Sequence, residues 1–247
     1  KIICIFSMSV FHDYWPLIII ISAGILLSIL FKKLTVPAAF TGGALSVCIF
    51  MGPGYWGIVM MTVFFLTGVI VTSWKLDIKQ RNGLAEINKG RRTAGQVFAN
   101  AGLPAIIGII AWCCPACKID APLLIAACFA SATADTVSSE LGNVYGSLYY
   151  NILTLKRSVR GLNGVVSAEG VLLGIGGSLL IALIYNAAFG WSFNGAIIIV
   201  AGTAGNSADS VLGASLERKN YLNNDAVNFL NTCIAALTAF LLYSCNR

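Results

Sequence analysis

The chain is short of charge. Only 11% of its 247 residues are Asp, Glu, Lys or Arg, where a soluble domain carries about 25%. With 57% hydrophobic residues it has no means of covering its own surface in water, so a water-soluble fold is excluded and lipid must do that job. Histidine is nearly missing: His12 is the single one, it lies near the N-terminus, and a His-based acid–base mechanism is not expected. The apolar runs do not alternate every second residue, which excludes a β-barrel. The first ten residues lack a charged n-region plus a small-residue cleavage site, so no secretory signal is expected. The net charge of +6 does not point to nucleic acid, because the basic residues stand in short loops between apolar runs.

What remains is a set of runs of the length a spanning helix needs, about 20 mostly apolar residues. Eight are predicted, near 14–31, 36–52, 55–73, 95–113, 121–141, 164–186, 193–213 and 224–244. The expected fold is therefore all-α, a polytopic transmembrane helical bundle of about eight helices, and residues 1–247 form one integral-membrane domain. Gly is abundant, with 25 residues; small residues let helix backbones approach closely in a bilayer.

Lys and Arg set the orientation. The loops after the first, third, fifth and seventh runs hold Lys32, Lys33, Lys75, Lys79, Arg81, Lys89, Arg91, Arg92, Lys156, Arg157, Arg160, Arg218 and Lys219, thirteen in all, against three (Lys1, Lys118 and Arg247) on the other side. That split makes the long loops 74–94 and 142–163 cytoplasmic and puts both termini on the far side. The expected setting is the inner membrane of a bacterium. Lys32, Lys33, Lys75 and Lys79 are assigned to ordinary positive-inside charge.

Ionisable groups inside spans are expensive and mark function. By this topology Asp135, Glu140, Glu169 and Asp209 all fall at the cytoplasmic ends of their runs. Polar partners gather at the same face. Arg92, Gln96 and Asn100 are spaced by four and share a helix side. Asn224, Asn228 and Asn231 do the same in the last run, with interhelical hydrogen bonding the competing role for the last two. Lys89, Arg91, Lys156, Arg157 and Arg160 add positive charge. The glycines of Arg160-Gly161-Leu162-Asn163-Gly164 would let backbone approach a phosphate at a helix N-terminus. Acids, bases and amides at one face suit Mg²⁺, which takes carboxylates together with substrate phosphates. Asp135 and Glu140 are five apart, about 140° around a helix, so both face one ion only if the helix breaks. Asp135 shares its side with Ser138 and Ser139, and Glu140 with Thr136.

The eight cysteines lie mostly inside apolar runs, where Cys acts as a small hydrophobe. Cys113-Cys114-Pro115-Ala116-Cys117 falls in a non-cytoplasmic loop. It lacks the second ligand pair a zinc site needs and reads as a structural or disulfide-capable turn.

Several stretches resemble the integral-membrane family of the plant phytyl-phosphate kinase of vitamin E synthesis and its bacterial and animal relatives. They are the segment from Lys89 through Arg92 to Asn100, Ala134–Gly142, Gly161–Ser167, Asp209–Ala214 and Asn224–Thr232. Family members tend to carry Gly-Thr-Asn-Gly-Gly-Val-Ser where this chain has Leu162 and Val165. More faintly, Asp135-Thr136 and Ser167-Ala168-Glu169-Gly170 resemble the CTP-dependent dolichol and phytol kinases. The resemblance implies phosphoryl transfer from CTP or ATP to an isoprenoid monophosphate, giving the diphosphate. In that reading Asp135, Glu140, Lys156, Arg160 and Asp209 are catalytic, and Asp135, Glu140 and Asp209 hold Mg²⁺. Lys89, Arg91, Arg92, Gln96, Asn100, Ser139, Asn163, Gly164, Ser167, Asn228 and Asn231 bind nucleotide or phosphate. The expected partners are a nucleoside triphosphate, the isoprenoid monophosphate and membrane lipid. The competing readings are a cytidylyltransferase forming a CDP-lipid and a transporter. A carrier site sits near the midplane, usually between inverted repeats; here the acids gather at one face and no repeat is evident.

Overall fold

The computed structural model describes residues 8–85, 90–117 and 119–246, with side chains from Tyr14 onward. Lys1, Cys4, His12, Lys89, Lys118 and Arg247 lie outside the described side chains. Among the described residues the chain forms nine helices: α1 (Met8–Leu30), α2 (Val36–Phe50), α3 (Tyr55–Ser73), α4 (Leu76–Arg81), α5 (Ala94–Cys113), α6 (Ala121–Tyr145), α7 (Ala168–Phe189), α8 (Asn194–Leu212) and α9 (Asn224–Cys245). All but α4, a six-residue turn in the long loop after α3, correspond to the eight predicted runs. Six helices, α3 and α5 to α9, are long and apolar enough to cross a membrane, while Tyr14–Leu30 and α2 are shorter apolar helices. The protein is a helical membrane bundle.

Local sequence sets the helix starts. Thr35, Thr93, Asp120, Ser167 and Asn223 each accept a hydrogen bond from the backbone of the first turn that follows, satisfying an amide the helix itself cannot. Pro37 and Pro122 stand in first turns, where a missing N–H is harmless.

The packing centre is α6, which α3, α5, α7, α8 and α9 all contact. Ala126, Ala127, Ala130, Ala132 and Ala134 are fully buried along it. Glycines of the neighbours lie against this small-residue surface: Gly170, Gly174 and Gly177 of α7, and Gly202 and Gly205 of α8. Lipid tails are as apolar as Leu, so helices associate here by close contact rather than by escape from water.

The loops after α1, α3, α6 and α8 meet at one end of the bundle. Between the first two of these loops the Arg92 N–H donates to the Lys33 carbonyl and the Arg92 carbonyl accepts from the Thr35 N–H, both at 3.0 Å. Leu84 lies against Gly161, and the Arg218 Nε–H donates to the Asn163 carbonyl at 2.7 Å. A two-residue hairpin, β1 (Tyr150–Asn151) with antiparallel β2 (Val165–Val166), stands at this end. It delays α7, which begins at Ala168 rather than near 164. The basic loops therefore share one end. Cys114 and Cys117 form a disulfide in the α5–α6 connection, as a disulfide-capable turn would.

Candidate functional site

The site is built on α6 and α8 near the loop end. Asp135 of α6 and Asp209 of α8 meet side chain to side chain at hydrogen-bonding separation. Two carboxylates that close repel unless a proton or a cation lies between them. The groups that hold them are neutral. Asn231 Nδ2 of α9 donates to Asp209 Oδ2 at 2.9 Å, and Asn231 Oδ1 accepts from the Ser131 hydroxyl at 3.1 Å. Ser138, one turn after Asp135, donates to Asn206 Oδ1 at 3.1 Å. Three helices are thus tied together by hydroxyls and amides around an acid pair. The Arg92 guanidinium is the cation whose field reaches Asp135; it rests over the Phe64 ring at 5.1 Å and against Gly68.

The pair opens onto a mainly polar cavity of about 200 Å³. Ser138, Ser139, Asn143, Asn206, Ser207 and Asn224 line it together with the 161–167 loop and Glu217. Gly164 has φ +69°, and a Cβ there would collide with Ala214 and the Ser210 carbonyl. Only glycine lets this loop close against α8.

Of the predicted site residues, the structure brings Asp135, Asp209, Ser139, Asn163, Gly164 and Ser167 to the cavity wall. Asn231 stands behind it, holding Asp209, while Arg92 lies outside the cavity wall and reaches Asp135 through its charge. Others go elsewhere. Glu140 is not with the acid pair: its carboxylate is ion-paired with Lys79. The helix runs unbroken from Asp135 to Glu140, so the five-residue spacing turns Glu140 away. Lys79 is correspondingly no ordinary loop charge. It is 1% exposed, and its ammonium also donates to the Val71 and Thr72 carbonyls at 2.9 and 2.7 Å.

Lys156 and Arg160 stand in the hairpin connection, outside the residues lining the cavity. Arg91 Nε donates to the Leu34 carbonyl at 3.0 Å, fastening the α1–α2 loop. Gln96 completes a capping box with Thr93, and Asn100 Nδ2 donates back to the Gln96 carbonyl. Asn228 does not line the cavity. Ser167 lines it but spends its hydroxyl capping α7, and Gly164 serves packing. Lys89 lies outside the described residues.

Glu217 and Asn206 escaped the sequence reading. A π turn over Gly213–Glu217 inserts one extra residue into the helix. Asp209 and Glu217, eight apart, therefore align nearly as i and i+7 would, and Glu217 acts electrostatically on both acids. Among the described residues no three Asp, Glu, His or Cys side chains converge as a metal site. The acid pair offers two carboxylates, the set Mg²⁺ takes when substrate phosphates supply the rest.

The family model described as Integral membrane protein DUF92 matches residues 19–236. The chain is similar to uncharacterized membrane protein MJ0933 of Methanocaldococcus jannaschii, 32% identical over 200 residues that cover 77% of each chain. It is similar to uncharacterized membrane protein sll0875 of Synechocystis sp., 32% identical over 84% of this chain and 82% of that one. It is also similar to the chloroplastic protein VTE6 of Arabidopsis thaliana, 29% identical over 220 residues, 84% of this chain and 63% of that protein. No solved structure matches.

Proposed function

Because the chain belongs to the integral membrane family DUF92, and because its acid pair faces a polar cavity at the basic end of the bundle, we propose that it is a membrane phosphotransferase of the isoprenoid-phosphate kinase kind. The observation that carries this reading is the contact between Asp135 and Asp209, held by neutral amides with Arg92 close by. Phosphoryl transfer needs positioning and charge neutralisation more than covalent help from the protein, and this site offers little else. The likeness to VTE6 and the motif resemblance to phytyl-phosphate kinases point the same way.

In the proposed reaction an ionised oxygen of the isoprenoid monophosphate attacks the γ-phosphorus of CTP or ATP. The bond from that phosphorus to the β-bridging oxygen breaks, nucleoside diphosphate leaves, and the lipid carries away a diphosphate. The nucleophile is already ionised, so no general base is required, which agrees with a site free of histidine among its described residues. Asp135 and Asp209 are the residues that would hold Mg²⁺; when bound, the ion would offset charge on the transferring phosphoryl group. Asn231 fixes the orientation of Asp209. Arg92 neutralises acceptor phosphate. Ser139, Asn143, Asn163 and Asn224 offer hydrogen bonds to nucleotide in the cavity.

We place this end in the cytoplasm, where nucleotide is found. Thirteen basic residues flank it in sequence, and the Cys114–Cys117 disulfide belongs to a connection on the other side, consistent with an oxidising compartment there. The test is purified protein with labelled CTP or ATP and phytyl or geranylgeranyl monophosphate, with product read by chromatography. Labelled diphosphate that vanishes in EDTA and returns with Mg²⁺ is the expected result. A CDP-lipid product would move the assignment to a cytidylyltransferase. Substrate flux across vesicles with no nucleotide turnover would replace it by a transporter.

A further inference from the structure

A second hollow lies beside the site. Both α1 and α3 pack against α2 but scarcely meet each other. Between them is a half-enclosed, almost wholly apolar cleft of about 470 Å³. Small residues hollow it out: Gly24 of α1, Ala39 and Gly42 of α2, and Ala101 of α5. The charge is confined to one end. There Lys33 and Arg92 close the cleft, at the same end of the bundle as the basic loops. Arg92 is also the residue whose charge reaches Asp135. One guanidinium therefore lines the apolar cleft and also acts through its charge on Asp135.

We infer that this cleft seats the hydrocarbon chain of the acceptor, a prenyl monophosphate, with its phosphate between Lys33 and Arg92. The inference rests on the phosphotransferase reading for its choice of amphiphile. Charge complementarity supplies the direction: a dianionic head belongs at the cationic end, and the chain then runs along the apolar walls toward Ile20 and Ile58. Volume supplies the chain number. At about 30 Å³ per methylene, close to the liquid share of one water, the half-open cleft takes roughly 16 carbons, most of one 20-carbon prenyl chain and too little for the two chains of a bilayer phospholipid. Lipid and cleft are equally apolar, so no hydrophobic gain draws the tail in from the bilayer. Selection comes from the headgroup, through charge-assisted hydrogen bonds to guanidinium and ammonium. A phosphate so placed would share the field of Arg92 with Asp135, one of the carboxylates proposed to handle phosphoryl transfer.

The full chain in phospholipid vesicles, photolabelled with geranylgeranyl monophosphate carrying a tail diazirine, tests this. Labelled peptides are mapped by mass spectrometry. The label is expected on α1, α2 or α3 residues of the cleft and at least tenfold weaker with the neutral prenol. Gly24→Phe fills the cleft from a position where an added Cβ meets nothing within 4 Å, so folding is kept. It is expected to cut labelling about tenfold and raise KM for the lipid acceptor by a similar factor. Lys33→Gln should weaken labelling by the phosphate but not by the prenol.

Label on α8 or α9, label undiminished by Gly24→Phe, equal labelling by the prenol, or competition by bulk phosphatidic acid would each overturn the inference. Turnover with label elsewhere would remove the cleft and leave the phosphotransferase standing. Cleft labelling without turnover would do the reverse.

Discussion

Removing Lys79 or Glu140 decides whether Glu140 belongs to the chemistry or to the frame. The ammonium of Lys79 has three donors, and all three are used: by Glu140 and by the carbonyls of Val71 and Thr72 at the end of α3. The two side chains are 1% and 10% exposed, so the pair is screened little by water. Deleting one member of a buried pair leaves an uncompensated charge, which destabilises by about 3–5 kcal/mol. At about 2–4 °C per kcal/mol for a chain of this size, Lys79→Met and Glu140→Leu should each lower Tm by on the order of 10 °C. The double variant has no buried charge left. Its remaining loss is the hydrogen bonding of two carbonyls, about 1–3 kcal/mol, so it should melt above Lys79→Met alone. Thermal unfolding of detergent-solubilised protein, followed by tryptophan fluorescence, reads all three. A double variant that melts at the sum of the single losses would refute the ion-pair account. So would a Glu140→Gln protein with wild-type Tm and no turnover, which would return Glu140 to the catalytic set.

Two further predictions concern the site and its setting. Asp135→Asn and Asp209→Asn are nearly isosteric and should fold, with turnover reduced on the order of 10³-fold; the double variant should be little worse, because residues acting as one unit are non-additive. Near-normal turnover in both would make the carboxylates structural. A single cysteine at residue 85, in a background freed of other accessible thiols, should resist an impermeant thiol reagent applied outside intact cells, and labelling there would invert the proposed orientation.

The bundle was legible because its signals are long and redundant. Six of the eight apolar runs meet a length criterion alone, the first two being shorter, and charge asymmetry sorts the loops between them. Asp135 and Asp209 were legible for a related reason, since a carboxylate inside a span is anomalous wherever it falls. Helical spacing also gave the warning about Glu140 before its partner was known. Its partner was hidden by distance along the chain: Lys79 is 61 residues away and reads, by position, as one more positive-inside lysine. The alignment of Gln96 with Arg92 and Asn100 suggests a binding face, while the Thr93-Ala94-Gly95-Gln96 pattern is that of a capping box, and the capping box is what forms. Glu217 was invisible to regular periodicity, since a π turn shifts the register. Lys156 and Arg160 looked eligible because a loop's sequence gives charge but not direction. The cleft between α1 and α3 comes from helix placement, which no single run encodes.

Glu140 and Asp209 are both acids near the loop end of a spanning helix, yet the structure gives them opposite partners. Glu140 faces a lysine, and its charge is cancelled inside the fold. Asp209 faces an amide and a second carboxylate, Asp135, neither of which neutralises it, so a proton or a cation must balance the pair. That difference makes Asn231 a positioning residue. It is fully buried, and it relays the Ser131 hydroxyl to Asp209, so Asn231→Leu should loosen the carboxylate while leaving its charge in place. Removing an outer partner of a metal ligand weakens metal affinity by about 10- to 100-fold, so the Mg²⁺ concentration for half-maximal turnover should rise by that factor, with much of the rate recovered at high Mg²⁺. A role confined to packing would lower Tm and leave the Mg²⁺ requirement unmoved. An unchanged requirement in a folded Asn231→Leu protein would therefore place the amide in the frame with Lys79 and Glu140, and would take the cation away from Asp209.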